Sequence, residues 1–285
     1  MNFSVLMSIY HKEKPEYFNR AMQSIWDEQT IKPNEIVLVQ DGPLTKELHI
    51  EIDKWKVKIG ESFQTVPLEK NVGLGGALNI GIQNCTYELI ARMDTDDIAC
   101  PGRFKKQLEV FHSDQELGVC GSCIGEFSED ENSVSSFRIV PEDTKAIYTF
   151  AKKRNPMNHP SVMFKKDIVV KLGGYGNYYF AQDYHLWVKL LLNDVKFYNI
   201  QEVLVLMRAG ESQTKRRSGY KYAMNEFKIY KSFYEQNFLN FFEFFAAVFL
   251  RMTIRLLPVN LVVFVYRVLR YNKSQQGELG ECKFK

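Results

Sequence analysis

The sequence predicts an α/β fold with a mainly parallel sheet, and three observations lead to it. Strand-like runs alternate with helix-like segments through the first 130 residues, which is the pattern of βα units. With 285 residues, of which 45% are hydrophobic, the chain can bury one sizeable core. After about residue 218 the composition becomes aromatic and basic. We therefore expect an α/β domain over residues 1–218 and a helical appendage over residues 219–285.

The elements of the α/β domain can be placed in chain order. Its five predicted strands cover residues 3–10, 35–41, 62–67, 88–93 and 117–127. A helix is predicted over residues 16–28 because apolar side chains recur on one face; they are Phe18, Met22 and Ile25 or Trp26. A second helix follows the glycine-rich stretch that ends at Gly76, and a third begins near Asp183.

Asp94, Asp96 and Asp97 directly follow the fourth predicted strand. In an extended chain Asp94 and Asp96 point to one side and Asp97 to the other, and three carboxylates packed together without a counter-charge would be costly. Carboxylate oxygens favour a hard divalent cation such as Mg²⁺ or Mn²⁺. Locally, a solvated acidic turn that caps the helix introduced by Pro101 and Gly102 explains the cluster equally well.

Three predicted strands end in side chains that can contact a ligand. Tyr10, Asp41 and Asp94 stand at or just after the ends of the first, second and fourth strands. The ligand crevice of an open parallel α/β sheet lies at the carboxyl ends of its strands. These three side chains are therefore expected to lie together at one ligand crevice.

These stretches, in this order, resemble a family 2 glycosyltransferase with the GT-A nucleotide-sugar fold. The resemblance rests on residues 3–10, 35–42, 91–97 and 180–187, and it covers about residues 3–210. It implies a Rossmann-like, mainly parallel sheet flanked by helices, and a transferase whose donor is a UDP-sugar. Among such enzymes the chain looks like the β-1,3-galactosyl- or glucosyltransferases of bacterial O-antigen, lipopolysaccharide or capsule biosynthesis.

The resemblance assigns the nucleotide side of the site. It implies that Ser8 and Tyr10 border the nucleotide, that Tyr10 can stack on uracil, and that Asp41 accepts a hydrogen bond from the base. Taken alone, Tyr10 fits a packing aromatic and Asp41 a turn-forming residue somewhat better. The glycine-rich stretch that begins with Lys70 and Asn71 resembles the family's Asn-x-Gly loop, where backbone and a helix N-terminus approach the nucleotide. Lys70 and Asn71 are its candidate contacts.

The resemblance also implies a divalent metal cofactor, Mn²⁺ or Mg²⁺, bound at a DXD motif. It gives Asp94 to the ribose and metal region and Asp96 to direct coordination of the metal. Asp97 is expected to support the metal shell or the donor sugar. A divalent ion that bridges the two phosphates stabilises UDP as a leaving group. Arg92 and Arg103 flank the cluster and are expected to be structural counter-ions.

Asp183 is the candidate catalytic base. Transfer to an alcohol needs a base because the hydroxyl becomes acidic only as it attacks. Asp183 matches the acid that, in the family, ends a Glu-Asp or similar pair before a helix, and Gln182 stands where many relatives carry Glu. Helix capping is the alternative for Asp183. With one base and no second carboxylate motif, direct displacement with inversion at the anomeric carbon is the simpler mechanism.

The acceptor side is less well defined. His159 and Trp187 are predicted to shape it, although both could equally be core or sheet-edge residues. Gly210 stands where relatives often have the histidine of an Arg-x-His motif, which puts any histidine contribution there in doubt. The basic run 215–217 is expected either to close over the pyrophosphate or to form a solvated loop.

The segment from Phe238 to Leu269 is aromatic and basic. Its longest uncharged runs, Phe244–Leu250 and Leu256–Tyr266, are shorter than the ~18 to 20 residues that a membrane span needs. Five basic residues and no Asp or Glu occur from Arg251 to Lys273. We predict two amphipathic helices on an anionic membrane surface, with Phe and Leu inward and Arg outward. A hairpin packed on the catalytic domain, or a dimer contact, is the alternative.

The prediction is therefore an inverting, metal-dependent transferase that moves galactose or glucose from a UDP-sugar to GlcNAc- or GalNAc-diphosphate-undecaprenol. A net charge of +3 argues against a general nucleic-acid binder. Five cysteines describe neither a disulfide framework nor a zinc site, and no signal peptide is recognised. We expect a cytoplasmic protein on the inner face of the membrane. The alternatives are a nucleotidyltransferase and a catalytically silent nucleotide-sugar-binding or membrane-scaffold protein.

Overall fold

The computed structural model describes residues 1–178, 180–209 and 220–256, with side chains from 222 to 252 in the last range. The basic run 215–217, Gly210 and the part of the predicted membrane-binding segment beyond residue 256 lie outside the described residues. Within these ranges a central sheet is covered by helices on both faces.

The sheet has nine strands in the described part of the chain, in the order β3-β2-β1-β4-β8-β6-β9-β5, with β7 paired to β6. The strands are β1 (Phe3–Ile9), β2 (Glu35–Gln40), β3 (Phe63–Pro67), β4 (Leu89–Arg92), β5 (Ile98–Ala99), β6 (Leu117–Phe127), β7 (Ser136–Arg138), β8 (Met163–Lys165) and β9 (Lys196–Arg208). The five predicted strands are confirmed as β1 to β4 and β6. The sequence pattern did not predict β5, β7, β8 or β9.

The strands that lead into the candidate site are parallel. β1 pairs in parallel with β2 on one side and with β4 on the other, and β2 pairs in parallel with β3. Their carboxyl ends therefore meet at one edge of the sheet. β8 pairs antiparallel with both β4 and β6, which joins this half to a mixed half containing the long strand β9.

The helices divide between the two faces of the sheet. They are α1 (Pro15–Trp26), α2 (Lys46–Ile59), α3 (Leu74–Asn84), α4 (Arg103–Ser113), α5 (Thr144–Ala151), α6 (Lys166–Lys171), α7 (Gln182–Leu191), α8 (Tyr220–Glu235) and α9 (Phe241–Leu256). In β1, Val5 and Met7 lie in the core formed with α1, α2 and α4, whereas Leu6 lies in the core formed with α3, α7 and α8. This alternation follows from the two-residue period of a strand, and it confirms the predicted α/β class.

One face of α9 packs on the rest of the protein. Phe244, Ala247 and Val248 lie against the core that α7 and α8 share, and the Phe244 ring stacks on Tyr234 of α8 at 5.1 Å between centroids. On this face, α9 therefore packs on the rest of the protein, as the hairpin alternative predicts. Within the described ranges, no helix has both the length and the apolar character that crossing a membrane requires.

The opposite face of α9 is aromatic and exposed. Its large apolar side chains have more than half of their area in solvent, and Phe242 reaches 81%; they are Phe241, Phe242, Phe245, Phe249 and Leu250. The rings of Phe241, Phe245 and Phe249 stack in sequence at 6.4 and 6.3 Å between centroids. We call these five residues the aromatic face of α9.

Arg251 lies on the packed face of α9, opposite the exposed Phe side chains. Its guanidinium forms a salt bridge of 2.9 Å with Glu226 of α8 and donates to the carbonyl oxygen of Lys153. The same group lies over the Tyr230 ring, 5.0 Å from its centroid. Arg251 therefore joins α9 to α8 and to the turn after α5. Its partners, Glu226 and the carbonyl oxygen of Lys153, both lie on the side of α9 that faces the rest of the protein.

Candidate active site

The acidic cluster lies in the loop after β4, at the carboxyl ends of the parallel strands. One carboxylate oxygen each from Asp94, Asp96 and Asp97 lies within 4.8 Å of the others. Asp97 is fully buried, and Asp94 and Asp96 are partly buried. The three acids therefore converge on one point, as a cation site requires, instead of spreading into solvent.

Burial and neighbouring negative charges raise the pKa values of two of these acids. Burial, the charge of Asp94 and the charge of Glu13 raise the pKa of Asp96 to about 7. Burial, with Asp96 and Asp94 adding to it, raises the pKa of Asp97 well above its ordinary value. Among the described residues, Oδ2 of Asp97 is buried and has no hydrogen-bond partner. A hard divalent cation would relieve this repulsion and use the unpartnered oxygen, so the donor set fits the expected Mn²⁺ or Mg²⁺.

The two arginines beside the cluster have different roles. Arg92 is fully buried and forms a salt bridge with Asp94, as expected for a structural counter-ion. Arg103 is also fully buried, but it donates to the carbonyl oxygen of Arg92 at 2.7 Å and to Gln107 at 3.1 Å. Burial and the charge of Arg92 lower the pKa of Arg103 to about 9. Arg103 therefore fixes the backbone of β4, and its direct partners differ from the predicted carboxylates.

Two further residues contact the acidic loop: Glu13, which the sequence did not single out, and Arg208, which stands at the arginine of the Arg-x-His comparison. Glu13, four residues beyond the end of β1, accepts a 2.6 Å hydrogen bond from the hydroxyl of Thr95, and burial raises its pKa. At the end of β9, the Arg208 backbone N–H donates to Oδ1 of Asp97 at 2.8 Å, and its Nε donates to the carbonyl oxygen of Asp96 at 3.2 Å. An acid shortly after β1 was a signal that could have found Glu13. Arg208 needed the pairing of β9, which the pattern did not reveal.

Asp41 ties the strand ends to the glycine-rich loop. It is 3% exposed; its Oδ1 accepts from the backbone N–H of Val72 at 2.7 Å and its Oδ2 from the Asn71 amide at 2.9 Å. Gly42 has a φ of +86°, and a Cβ there would lie 2.7 Å from the Asn71 nitrogen, so this turn requires glycine. The turn-forming role that the sequence left open for Asp41 is thus the one seen in its contacts.

The other predicted nucleotide contacts lie along the same edge. Ser8 stands near the end of β1 opposite Val39 of β2, and it is partly buried. Tyr10 follows β1, is also partly buried, and makes an edge contact of 5.6 Å with the His11 ring. Lys70 is exposed in the loop before α3. Their positions agree with a nucleotide cleft, and their contacts with a nucleotide remain a prediction.

Asp183 lies in the first turn of α7. The residue at the cap position is Ala181, in a left-handed conformation with φ of 55° and no side-chain cap. Oδ2 of Asp183 accepts a hydrogen bond of 2.6 Å from the side-chain amide of Asn155. Gln182 is buried and its Cγ lies 3.3 Å from where a Cβ on Gly75 would stand. Gln182 thus packs on α3, while Asp183 is partly exposed.

Tyr175 is a buried side chain near both Asp94 and Asp183. Burial raises the pKa of Tyr175, and the charges of both Asp183 and Asp94 lie near enough to add to that rise. Its hydroxyl lies 2.9 Å from Nε2 of His159. Burial and the charge of Arg92 lower the pKa of His159 well below its ordinary value, so this imidazole is neutral. Tyr175 was not predicted, because nothing local marks a tyrosine in a glycine-rich turn.

Trp187, for which the sequence left the acceptor side and the core open, lies in the core. Its side chain is fully buried, and its ring packs 6.3 Å from Phe197 and 6.1 Å from His159 between centroids. Trp187 lies on the face of α7 that turns towards the sheet, four residues after Asp183, and any effect on the acceptor would pass through His159. The core alternative that the sequence allowed for Trp187 is the correct one.

Comparison with known proteins shows the family of the chain. Residues 4–170 match the family model described as Glycosyl transferase family 2. The chain is 38% identical over 265 residues to the UDP-Gal:alpha-D-GlcNAc-diphosphoundecaprenol beta-1,3-galactosyltransferase of Escherichia coli, covering 93% of this chain and 95% of that protein.

Two solved structures share the fold at low sequence identity. The mannosyltransferase PcManGT from Pyrobaculum calidifontis, in complex with GDP-Man and Mn²⁺, aligns with a TM-score of 0.64 at 14% identity, over 95% of this chain and 81% of that one. S. aureus TarS 1-349 in complex with UDP-GlcNAc aligns with a TM-score of 0.60 at 19% identity, over 81% of this chain. The alignment spans 66% of the length of that TarS chain.

Proposed function

Because the chain belongs to glycosyl transferase family 2 and is a glycosyltransferase with the GT-A fold, we propose that it transfers a hexose from a UDP-sugar to a lipid-linked sugar diphosphate. The proposed donor sugar is galactose or glucose, and the proposed acceptor is GlcNAc- or GalNAc-diphosphate-undecaprenol. The product would be a β-1,3 linkage in O-antigen or capsule biosynthesis. The activity named for the 38% identical E. coli relative supports this choice.

The observation that carries the proposal is the convergence of Asp94, Asp96 and Asp97 on one point at the carboxyl ends of the parallel strands, with a further acid, Asp183, in the same part of the protein. The charges of Asp94 and Asp183 both raise the pKa of Tyr175, so both carboxylates lie near that buried side chain. A glycosyl transfer needs such a pair, since the leaving diphosphate and the attacking hydroxyl lie on opposite sides of the anomeric carbon. A binding protein without catalysis would have no need for the second acid.

On the donor side, Asp94 and Asp96 would hold the divalent ion, with Asp97 beside them. When bound, a divalent cation supplies charge neutralisation for the two phosphates as UDP leaves. Asp41 and Asn71 would keep the loop before α3 in place, so that its backbone and Lys70 face the nucleotide. Ser8 and Tyr10 complete the proposed nucleotide border at the end of β1.

On the acceptor side, Asp183 would accept the proton of the attacking hydroxyl. The hydroxyl oxygen then forms its bond to the anomeric carbon while the bond from that carbon to the UDP oxygen breaks. Displacement from one side inverts the configuration, so an α-linked UDP-sugar yields a β-glycoside. The neutral His159 and the hydroxyl of Tyr175 would line this side without a charge that competes for the proton.

The acceptor chemistry also gives a reason for the aromatic face of α9. Exposed Phe side chains on an amphipathic helix are stabilised when they enter the interface of a bilayer, where a lipid-linked acceptor resides. We therefore propose that the enzyme binds peripherally, at the cytoplasmic face of the membrane, through this face and through basic residues of the segment beyond it.

A panel of UDP-sugars with a synthetic GlcNAc-diphosphate-lipid acceptor tests the proposal. We expect UDP release that depends on the acceptor, a product heavier by one hexose, and the anomeric coupling of a β-linkage. A retained α-configuration would contradict the inverting mechanism. Release of pyrophosphate from a nucleoside triphosphate would instead indicate a nucleotidyltransferase, and binding of UDP-sugar without turnover would indicate a silent binding protein.

A further inference from the structure

Asn155 is the direct partner of Asp183. The distance from its Nδ2 to Oδ2 of Asp183 is 2.6 Å, which is short for an amide donor to a carboxylate. Asn155 lies in the turn after α5, 28 residues before Asp183 in sequence. The sequence marked this position simply as an Asn-Pro turn, so the contact emerges from the fold alone.

The orientation of the Asn155 amide is fixed by its other contacts. Its Oδ1 accepts a hydrogen bond of 3.2 Å from the backbone N–H of Met157. Since a backbone N–H can only donate, the oxygen of the amide must face Met157, and the NH₂ group must face Asp183. The carbonyl oxygen of Asn155 in turn accepts from Arg138 at 3.0 Å. Asn155 therefore presents a donor to Asp183 and cannot reverse without losing a bond.

The turn that carries Asn155 is anchored by the C-terminal helices. Tyr184, next to Asp183, donates its hydroxyl to the carbonyl oxygen of Ala151. Lys152 forms a salt bridge of 2.8 Å with Glu243 of α9. The carbonyl oxygen of Lys153 accepts from Arg251 of α9, and from Tyr230 of α8 at 3.1 Å. Three helices thus hold the turn, and with it the amide of Asn155, in one position relative to α7.

We propose that Asn155 is the positioning residue of the catalytic base: its amide holds Oδ2 of Asp183 and thereby directs Oδ1 towards the hydroxyl of the acceptor. This inference rests on the proposed role of Asp183 as the base. A carboxylate on a single-bonded side chain rotates freely in water, and one fixed oxygen leaves the other in a defined direction. An amide donor also keeps the base anionic without giving it a competing proton acceptor.

Two substitutions separate positioning from a structural role. Asn155→Ala removes the donor, and Asn155→Asp keeps the shape but places a second acid against Asp183. Because a neighbouring carboxylate disfavours ionisation of an acid, the acid limb of the kcat profile should move upward in Asn155→Asp, by about one pH unit or more. Tyr175 is the other titratable group shown to act electrostatically with Asp183, and both variants retain it.

We further expect kcat of Asn155→Ala to fall by ~10-fold or more at the plateau, because orientation is lost, with the KM for the UDP-sugar unchanged. Asn193→Asp is the matched control. It adds the same charge just beyond the other end of α7, roughly 15 Å away at 1.5 Å per residue, where Asn193 is exposed. This control should keep the wild-type pH profile, kcat and KM.

The measurements are the pH dependence of kcat for each variant, the KM for the donor, and the melting temperature. An unmoved acid limb in Asn155→Asp overturns the positioning role. A kcat of Asn155→Ala that is unchanged, or that falls only together with the melting temperature, overturns it as well. Asp183→Asn separates this failure from that of the proposed function. If Asp183→Asn retains full turnover, the base assignment itself is wrong; if it abolishes turnover while the limb stays fixed, only the role of Asn155 is wrong.

Discussion

The backbone N–H of Arg208 donates a 2.8 Å hydrogen bond to Oδ1 of Asp97, so the end of β9 contacts the loop after β4. The two residues are separated by 111 positions in the chain. The guanidinium of Arg208 also lies over the Tyr17 ring of α1, 3.9 Å from its centroid. The acidic loop is therefore held from β9 and from α1, which preorganises its carboxylates before any ligand binds.

Asp96 should be required for metal-dependent transfer. It is partly exposed within the cluster, and we expect Asp96→Asn to remove nearly all turnover because a neutral amide binds a hard divalent ion poorly. EDTA should have the same effect on the wild-type protein, and Mn²⁺ or Mg²⁺ should reverse it there but not in the variant. The UDP-release assay and circular dichroism measure turnover and fold. Full activity in metal-free buffer would contradict the metal site.

Asp183 should be required for turnover but not for donor binding. Asp183→Asn keeps the shape of the side chain and removes its basicity, so kcat should fall by about 10² to 10⁴, the usual range for a lost general base. The affinity for UDP-sugar, measured by calorimetry, should stay near the wild-type value. A large loss of affinity with little change in kcat would instead assign Asp183 to donor binding.

The raised pKa values of the acidic cluster predict how stability depends on pH without metal. The pKa of Asp96 rises from 3.8 to about 7 in the folded protein, so between these values the folded state binds more protons than the unfolded state. Stability therefore falls as the pH rises through this window. The melting temperature in EDTA should be lower at about pH 8 than at about pH 5, and this difference should shrink in Asp96→Asn.

The raised pKa of Asp96 also predicts how the stabilisation of the protein by a bound metal ion depends on pH. Binding of the ion must displace protons from the carboxyl groups at low pH but not at high pH. Mn²⁺ should therefore raise the melting temperature more at about pH 8 than at about pH 5. An equal increase at both pH values would show that the cluster is already ionised in the metal-free protein.

How much of this site the sequence predicted depends on how local each signal is. Asp94 and Asp96 were found because they follow a clear strand, and β1 to β4 were found because each is a short run rich in apolar or β-branched residues. Asn155, Glu13 and Tyr175 were missed, since their importance comes from partners distant in sequence. For Trp187 the sequence left the acceptor side and the core open, because proximity to Asp183 in sequence does not reveal which face of α7 it occupies.

Arg251 should be needed for stability. Arg251→Glu replaces its salt bridge with Glu226 by two like charges at a mostly buried position, so we expect a loss of ~1 to 3 kcal/mol. Lys231→Glu is the control, because Lys231 and its partner Glu235 on α8 are both more than half exposed; its effect should stay within about 0.5 kcal/mol. Urea denaturation measures both. Equal stability of the two variants would show that the salt bridge of Arg251 does not stabilise the packing of α9 on α8.

The exposed aromatic face of α9 should bind membranes. Replacing Phe242, Phe245 and Phe249 with Ser removes apolar area that would enter the bilayer, while the packed face with Phe244 stays intact. A loss of ~1.4 kcal/mol lowers affinity tenfold, and burial of a single Phe contributes about that much or more. We therefore expect at least a ~10-fold weaker partition onto anionic vesicles, measured by flotation, and a larger loss of activity on long-chain acceptors than on short soluble analogues.

The control for this prediction is a pair of exposed apolar residues on the opposite side of the sheet. Ile50 and Val57 of α2 are 57% and 88% exposed, so changing them to Ser removes exposed apolar surface far from α9. The control should float with vesicles as the wild type does, because the two changed residues lie outside the proposed membrane contact. Equal binding of the Phe variant and the control would show that the aromatic face does not contact the bilayer. A change of oligomeric state in the Phe variant, measured by light scattering, would instead assign the face to a contact between two copies of the chain.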